Sequence, residues 1–448
     1  MDGSLQPYCD RAHDLLIELC RHPSIAAQHQ GIAETASLVE QLLRDAGFET
    51  RRLTAGDAPP IVYGEQRGRS PFTLLLYNHY DVQPPEPIEL WESPPFEPEV
   101  RDGKLYARGV ADNKGEIAAR LAAIHALRDQ DGELPITIRW IIEGAEEIGS
   151  AHFEEIVQPH AALLQADACF WEGGSYDPDN RPVLGLGAKG MLYVELAVRC
   201  MSTDAHSGTA GILPSAPWRL VQALEAIHGP DGRVQIPGFY EAVRPPTPGE
   251  REALAGQIGM EAEMREVYGI DSFVDDLTGI ALRERRAFAP TCNIAGLIAG
   301  YGGEGIKTVL PAAALAKMDF RLVPNQTAAG VEHALRRHLL VRGFGDIRIA
   351  VLGACDPTLT PIDDPLVQRV RALAASFSGS EPSIEPLIAG SLPLLATLMR
   401  LVGASGLSAP TNVTYWGSRG HAPNENIRID DLYRGVATNV YILRGLGR

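Results

Sequence analysis

The stretch Leu75-Leu76-Tyr77-Asn78-His79-Tyr80-Asp81-Val82-Gln83-Pro84 decides how the first half of the chain is read. The apolar run over residues 72–77 is what a strand covered on both faces requires. It stops at a histidine, with an aspartate two residues further on. Working outward, apolar positions at helical spacing mark residues 8–20 and 33–46, the latter closed by Gly47. Residues 48–51 alternate as a short strand, 118–127 read as a helix, and 136–142 and Ala168–Trp171 read as strands. Helix and strand alternate, which predicts an α/β layered domain around a central sheet.

The texture changes near Gly185-Leu186-Gly187-Ala188-Lys189-Gly190. Strands are expected at 191–198, 314–323 and 347–351, with helices at 217–227 and 331–341 and a Pro-rich loop over 237–252. Helices resume from Pro365 and at 429–443. The expectation is a catalytic domain of residues 1–187 and 355–448, interrupted by an inserted α+β domain of residues 188–354.

The 448 residues, 45% of them hydrophobic, are ample for a large core. A net charge of −17 disfavours binding to nucleic acid or to an anionic membrane surface. Six cysteines lack any C-x-x-C pair and read as reduced thiols of a cytoplasmic protein. The N-terminus lacks the basic start and apolar run of a signal peptide, and no apolar stretch is long enough for a membrane span.

The chemistry lies where strands run out. Asp81 can reach the ring of His79 and leave the other ring nitrogen for a metal; alone, the pair reads first as a histidine satisfied by a carboxylate at a turn. Asp112 sits in the glycine-flanked turn Gly109-Val110-Ala111-Asp112-Asn113-Lys114-Gly115, where it could also be a helix N-cap. Glu146 and Glu147 are adjacent after the strand at 136–142, and their repulsion is relieved by a cation or a shared proton. Glu172 follows Ala168–Trp171, and His421 stands in a late Gly/Pro loop. Acids and histidines after four strands of one expected sheet fall where open α/β sheets bind ligands. Two imidazoles with three or four carboxylates suit two zinc ions, or cobalt or manganese.

Asn78-His79-Tyr80-Asp81-Val82-Gln83-Pro84, Gly109 to Gly115, Glu143-Gly144-Ala145-Glu146-Glu147-Ile148-Gly149-Ser150, Asp204-Ala205-His206-Ser207-Gly208, Arg321-Leu322-Val323-Pro324-Asn325-Gln326 and Gly420-His421-Ala422-Pro423-Asn424-Glu425 occur in this order. The set resembles the dinuclear zinc peptidases, a family of carnosinase-type cytosolic dipeptidases, carboxypeptidase G, aminoacylase, acetylornithine deacetylase and succinyl-diaminopimelate desuccinylase. The phrase at 91–98 and Phe320-Arg321-Leu322-Val323-Pro324-Asn325-Gln326 are closest to the carnosinase-like branch. The resemblance implies that His79 and Glu172 hold one zinc, Glu147 and His421 the other, and Asp112 both. It makes Asp81 the residue orienting His79, and Glu146 the general base for a bridging hydroxide that attacks an amide carbonyl. It also carries a cis peptide to Asp112–Asn113.

The same resemblance makes His206 an oxyanion donor reaching the partner subunit's site, which implies a homodimer through the inserted lid/dimerisation domain. Arg321, an arginine on a strand, has the geometry to clamp a substrate carboxylate, or to pair with Asp319. The loop Ala389-Gly390-Ser391-Leu392-Pro393 resembles the family's Gly-Gly-Ser-Ile-Pro loop, with Gly390 and Ser391 meeting that carboxylate. Ala389 departs from the pattern. Asn293 matches a family position near the substrate carbonyl. The expected substrates are dipeptides or short peptides; an N-acyl amino acid deacylase or carbamoylase on the same site is the alternative.

Overall fold

The computed structural model describes residues 3–408, 411 and 413–448. Its large sheet has eight strands in the order Glu49–Leu53, Ile61–Gln66, Leu134–Glu143, Gly68–His79, Ala168–Trp171, Gly406–Ser408, Val183–Gly185, Ser383–Glu385. Gly68–His79 runs parallel to both its neighbours, while Ile61–Gln66 is antiparallel to Leu134–Glu143. The sheet is therefore mixed. Leu74, Leu75, Leu76 and Tyr77 are all buried. Successive strand residues face opposite ways, so unbroken burial means both faces are covered.

Helices Lys114–Asp131 and Ile429–Leu446 pack on Leu134–Glu143, and Gln6–Arg21 packs against both helices. Lys114–Asp131 is buried all round from Lys114 to Leu127. Its alanines at 118, 119, 122, 123 and 126 let neighbours approach closely enough for that.

The second sheet is fully antiparallel, in the order Thr291–Ala299, Ala313–Leu322, Gly190–Arg199, Arg348–Cys355. Leu192, Val194, Leu196, Met318 and Phe320 form one face and pack with helices Ala216–Ile227 and Ala328–Val341. The alternate residues face away from those helices: Met191 opposes Arg321, Tyr193 opposes Asp319, and Asn293 opposes Asp319 from the other side. The large apolar cluster draws on residues from Leu5 to Ala188 and from Val367 to Leu446. The smaller one draws on residues from Leu192 to Ile347.

Part of the loop expected over 237–252, which lies between strands Gly190–Arg199 and Thr291–Ala299, is helical. Residues 248–252 belong to helix Pro248–Ala255, started by a capping box between Thr247 and Glu250. Met260–Tyr268 and Gly279–Phe288 follow. This segment leans on the outer strand of the large sheet: Gln257 donates to Ile384 O at 3.2 Å, and Arg286 pairs with Glu385 at 3.0 Å.

Candidate metal centre

Three turns that carry acids or histidine leave neighbouring strands of the large sheet. His79 ends Gly68–His79, Glu146 and Glu147 form a helical turn just after Leu134–Glu143, and Glu172 directly follows Ala168–Trp171. Parallel pairing brings the ends of these strands to one edge. Asp112 does not follow a fourth strand of that sheet. It follows Lys104–Tyr106, which pairs with Glu99–Arg101 and Asn426–Arg428 in a separate three-stranded sheet. His421 precedes Asn426–Arg428, so this small sheet delivers both residues together.

Asp112 is shared between two groups. Its Oδ1 lies 3.0 Å from His79 Nε2 and its Oδ2 lies 2.9 Å from His421 Nε2. Glu172 Oε2 is 3.1 Å from His79 Nε2, and Glu147 Oε2 is 3.2 Å from His421 Nε2. Each ring nitrogen thus faces two carboxylates with at most one proton to offer. Glu172 Oε2 is buried without a hydrogen bond, a costly arrangement unless a cation meets it. The ligating atoms of His79, Asp112 and Glu147 lie within 4.8 Å of one another, as do those of His79, Glu146 and Glu172. The donors fit a pair of divalent ions that share one carboxylate.

The electrostatics report the same crowding. Burial, then the Glu172 charge, pushes Glu146 up to about 9. Burial raises Glu172 to about 7 against the opposing His79. Burial also works against ionised Asp112, yet hydrogen bonds with His421 and His79 hold it well below the usual carboxylate range. His421 is raised to about 10 by Asp112 and then Glu147. Burial disfavours a charged His79 ring, but Glu172, Asp112 and Asp81 outweigh it and raise its pKa.

The supporting residues are mostly ones that sequence reading did not single out. Asp81 was expected to orient His79, but the closest acceptor to His79 Nδ1 is the Asp81 backbone oxygen, at 3.0 Å, with Oδ1 at 3.5 Å. The Asp81 carboxylate instead accepts from the amides of Glu146 and Glu147, at 3.2 and 3.0 Å. Glu425 accepts from the amides of Gly109, Ala111 and Asp112 and from Arg108, so it shapes the whole Asp112 turn. Its signal was a glutamate in the quoted Gly420 to Glu425 motif. Beneath the site, buried Asn78 donates to Asn113 and Glu116 and accepts from Arg120 and Trp140. The Asp112–Asn113 peptide is cis.

The expected substrate residues gather elsewhere. Arg321 Nη1 donates to Ser391 Oγ at 2.9 Å, and its Nε donates to Asp319 at 3.4 Å. Asn293 donates to the other oxygen of Asp319 at 2.9 Å. Gly390, beside Ser391, is exposed. His206 is also exposed, accepting from the Gly208 amide at 3.0 Å and meeting Thr308 at 3.5 Å. Among the described residues, no hydrogen bond links His206, Asn293 or Arg321 to the acid cluster.

A shared aspartate flanked by histidine–glutamate pairs, beside the strand ends of an α/β sheet, is a ligand set suited to a metal-dependent hydrolase. The chain belongs to Peptidase family M20/M25/M40, which matches residues 75–444. It is similar to the Cys-Gly metallodipeptidase of Schizosaccharomyces pombe, 31% identical over 417 residues, covering 88% of this chain and 84% of that one. It is also similar to the Beta-Ala-His dipeptidase of Homo sapiens, 29% identical over 381 residues, covering 82% and 74%. Among solved structures, an M20 family metallo-carboxypeptidase from Sulfolobus solfataricus superposes with a TM-score of 0.90 at 36% identity, covering 100% of each chain. The chain is a metallopeptidase. No helix among the described residues is long and apolar enough to cross a membrane.

Proposed function

We propose that the chain hydrolyses dipeptides or short peptides with a free C-terminal carboxylate, using two divalent metal ions, with zinc as the first choice. The observation that carries this is Asp112, whose two oxygens each face a different histidine–glutamate pair. His79, Asp112 and Glu172 would hold one ion, and Asp112, Glu147 and His421 the other. Bound there, the ions would supply a water of lowered pKa and a Lewis acid for the scissile carbonyl. Glu146 accepts the water's proton and returns it to the departing amine. Arg321 and Ser391 hold the substrate carboxylate, with Gly390 beside them and Asn293 near the scissile carbonyl. The dipeptidase names of the relatives support this choice of substrate.

Residues 188–354 act as lid and dimer contact, and residues 1–187 and 355–448 carry the metals. Strand Thr291–Ala299 is an edge strand that exposes Ile294, Leu297 and Ile298, which supports pairing with a second copy. His206 would then serve the partner's site as an oxyanion donor. Six unpaired cysteines fit a cytoplasmic location.

The test is turnover of Ala-His, β-Ala-His, Cys-Gly and N-acetyl amino acids by enzyme loaded with zinc, cobalt or manganese. Cleavage of dipeptides is expected. Turnover of N-acetyl amino acids with no dipeptide cleaved would overturn the reading in favour of a deacylase.

A further inference from the structure

Lys189 stands where the chain enters the smaller sheet, between Gly187–Ala188 and Gly190–Arg199. It is 3% exposed. Its ammonium donates to Ala289 O at 2.7 Å, which uses one of the three donors a lysine carries. Among the described residues, no carboxylate is hydrogen-bonded to it. The charges acting on it are two guanidiniums, Arg286 and Arg321, and burial with these neighbours lowers its pKa to about 8.

The neighbouring cations are already answered. Arg286 meets Glu385 at 3.0 Å, and Arg321 meets Asp319 at 3.4 Å. Three cations therefore share two acids, and the surplus charge sits on the most deeply buried of them. A buried charge without a counter-ion is strongly disfavoured, so the arrangement calls for one arriving anion. Its location says which. The Lys189 amide donates to Ile388 O at 3.2 Å, three residues before Ser391. Ser391 in turn accepts from Arg321. Arg321 lies opposite Met191, two residues along from Lys189. Lys189, Arg321 and Ser391 thus converge from three segments of chain.

We propose that Lys189 is a second cation of the substrate clamp, pairing with Arg321 to bind the terminal carboxylate of a peptide and so to select substrates with a free C-terminus. This rests on the peptidase reading above. Arg321 supplies a planar fork, and Lys189 supplies a compact charge that one carboxylate neutralises.

The test compares a dipeptide with its C-terminal amide in the metal-loaded enzyme. Lys189→Gln keeps a donor for Ala289 O but removes the charge. It should raise KM for the free dipeptide by about tenfold or more, leave kcat within about threefold, and leave the amide nearly unaffected, as loss of a charge-assisted contact would. The preference for the free carboxylate then narrows. Lys189→Arg keeps the charge and should keep the preference, which also guards against a Gln variant that fails to fold. Equal losses on both substrates would make Lys189 a hinge residue only and overturn the proposal, as would loss of the preference in folded Lys189→Arg. If the wild type cleaves no dipeptide, the functional reading fails instead, and the same comparison is run with an N-acetyl amino acid and its amide.

Discussion

At the edge of the large sheet each charged side chain is held by several others, whereas the open face of the small sheet leaves its charges loosely answered. Asp81 takes two backbone amides, Glu425 takes three amides and Arg108, and Arg120 spans Glu116, Asn78 and the carbonyl oxygens of Tyr77 and Trp171. On the small sheet, Arg321 has one hydroxyl and one long contact to Asp319, Lys189 has a carbonyl, and Ile298 is 65% exposed. The difference teaches that one chain pre-sets the metal end by itself. The small-sheet face is left open, which is where we propose that substrate and a second copy bind.

The largest expected effect breaks the metal end chemically without disturbing its scaffold. Glu146→Gln should lower kcat by about 10²–10⁴-fold, the usual worth of a general base, with metal content by elemental analysis unchanged. A loss under tenfold would remove Glu146 from that role.

Next come paired substitutions that weigh the two regions against each other. Arg120→Met leaves the buried Glu116 without its cation, and should cost about 3–5 kcal/mol in denaturant unfolding. On the edge strand, Ile298→Lys should change unfolding by only about 0.5 kcal/mol. On the proposed edge-strand dimer with His206 acting in trans, it should nevertheless shift sedimentation from dimer to monomer and lower turnover. Equal destabilisation by the two would erase the contrast.

The smallest effect is a pH slope. In metal-free protein Glu146 and Glu172 are raised to about 9 and about 7, and His421 to about 10. Each folded pKa lies above its unfolded value, so the folded state binds more protons in between. The stability these groups contribute is complete below their unfolded pKa values and is lost as pH rises through the folded ones. Melting temperature of the chelated protein should therefore drift down between about pH 5 and 9, and metal-loaded protein should be flatter. Parallel slopes would show that the acid cluster does not carry the strain.

Much of the first half was legible because its strands are covered on both faces. Residues 72–77 and Ala168–Trp171 are apolar without a break, and such runs have few other readings. Helix Pro248–Ala255 was missed although Thr247-Pro248-Gly249-Glu250 spells its own cap. The Pro-rich segment before it hid the signal. Strand Thr291–Ala299 gives no alternation because it is exposed along most of its length, with Gly296 at a register shift.

By itself the sequence determined which residues could do the chemistry: few side chain types ligate a divalent ion or carry a proton near neutrality, and these stand beside turns and strand ends. That Asp112 is shared was already implied by the resemblance; only the tertiary structure shows how, because it and His421 lie far apart in the chain and meet through a small sheet of their own. It alone turned Glu425 onto the Asp112 turn and buried Lys189 among cations. Local residue type and spacing carry chemical capacity, but convergence of distant segments is set by how sheets and helices pack, and no short stretch encodes that packing.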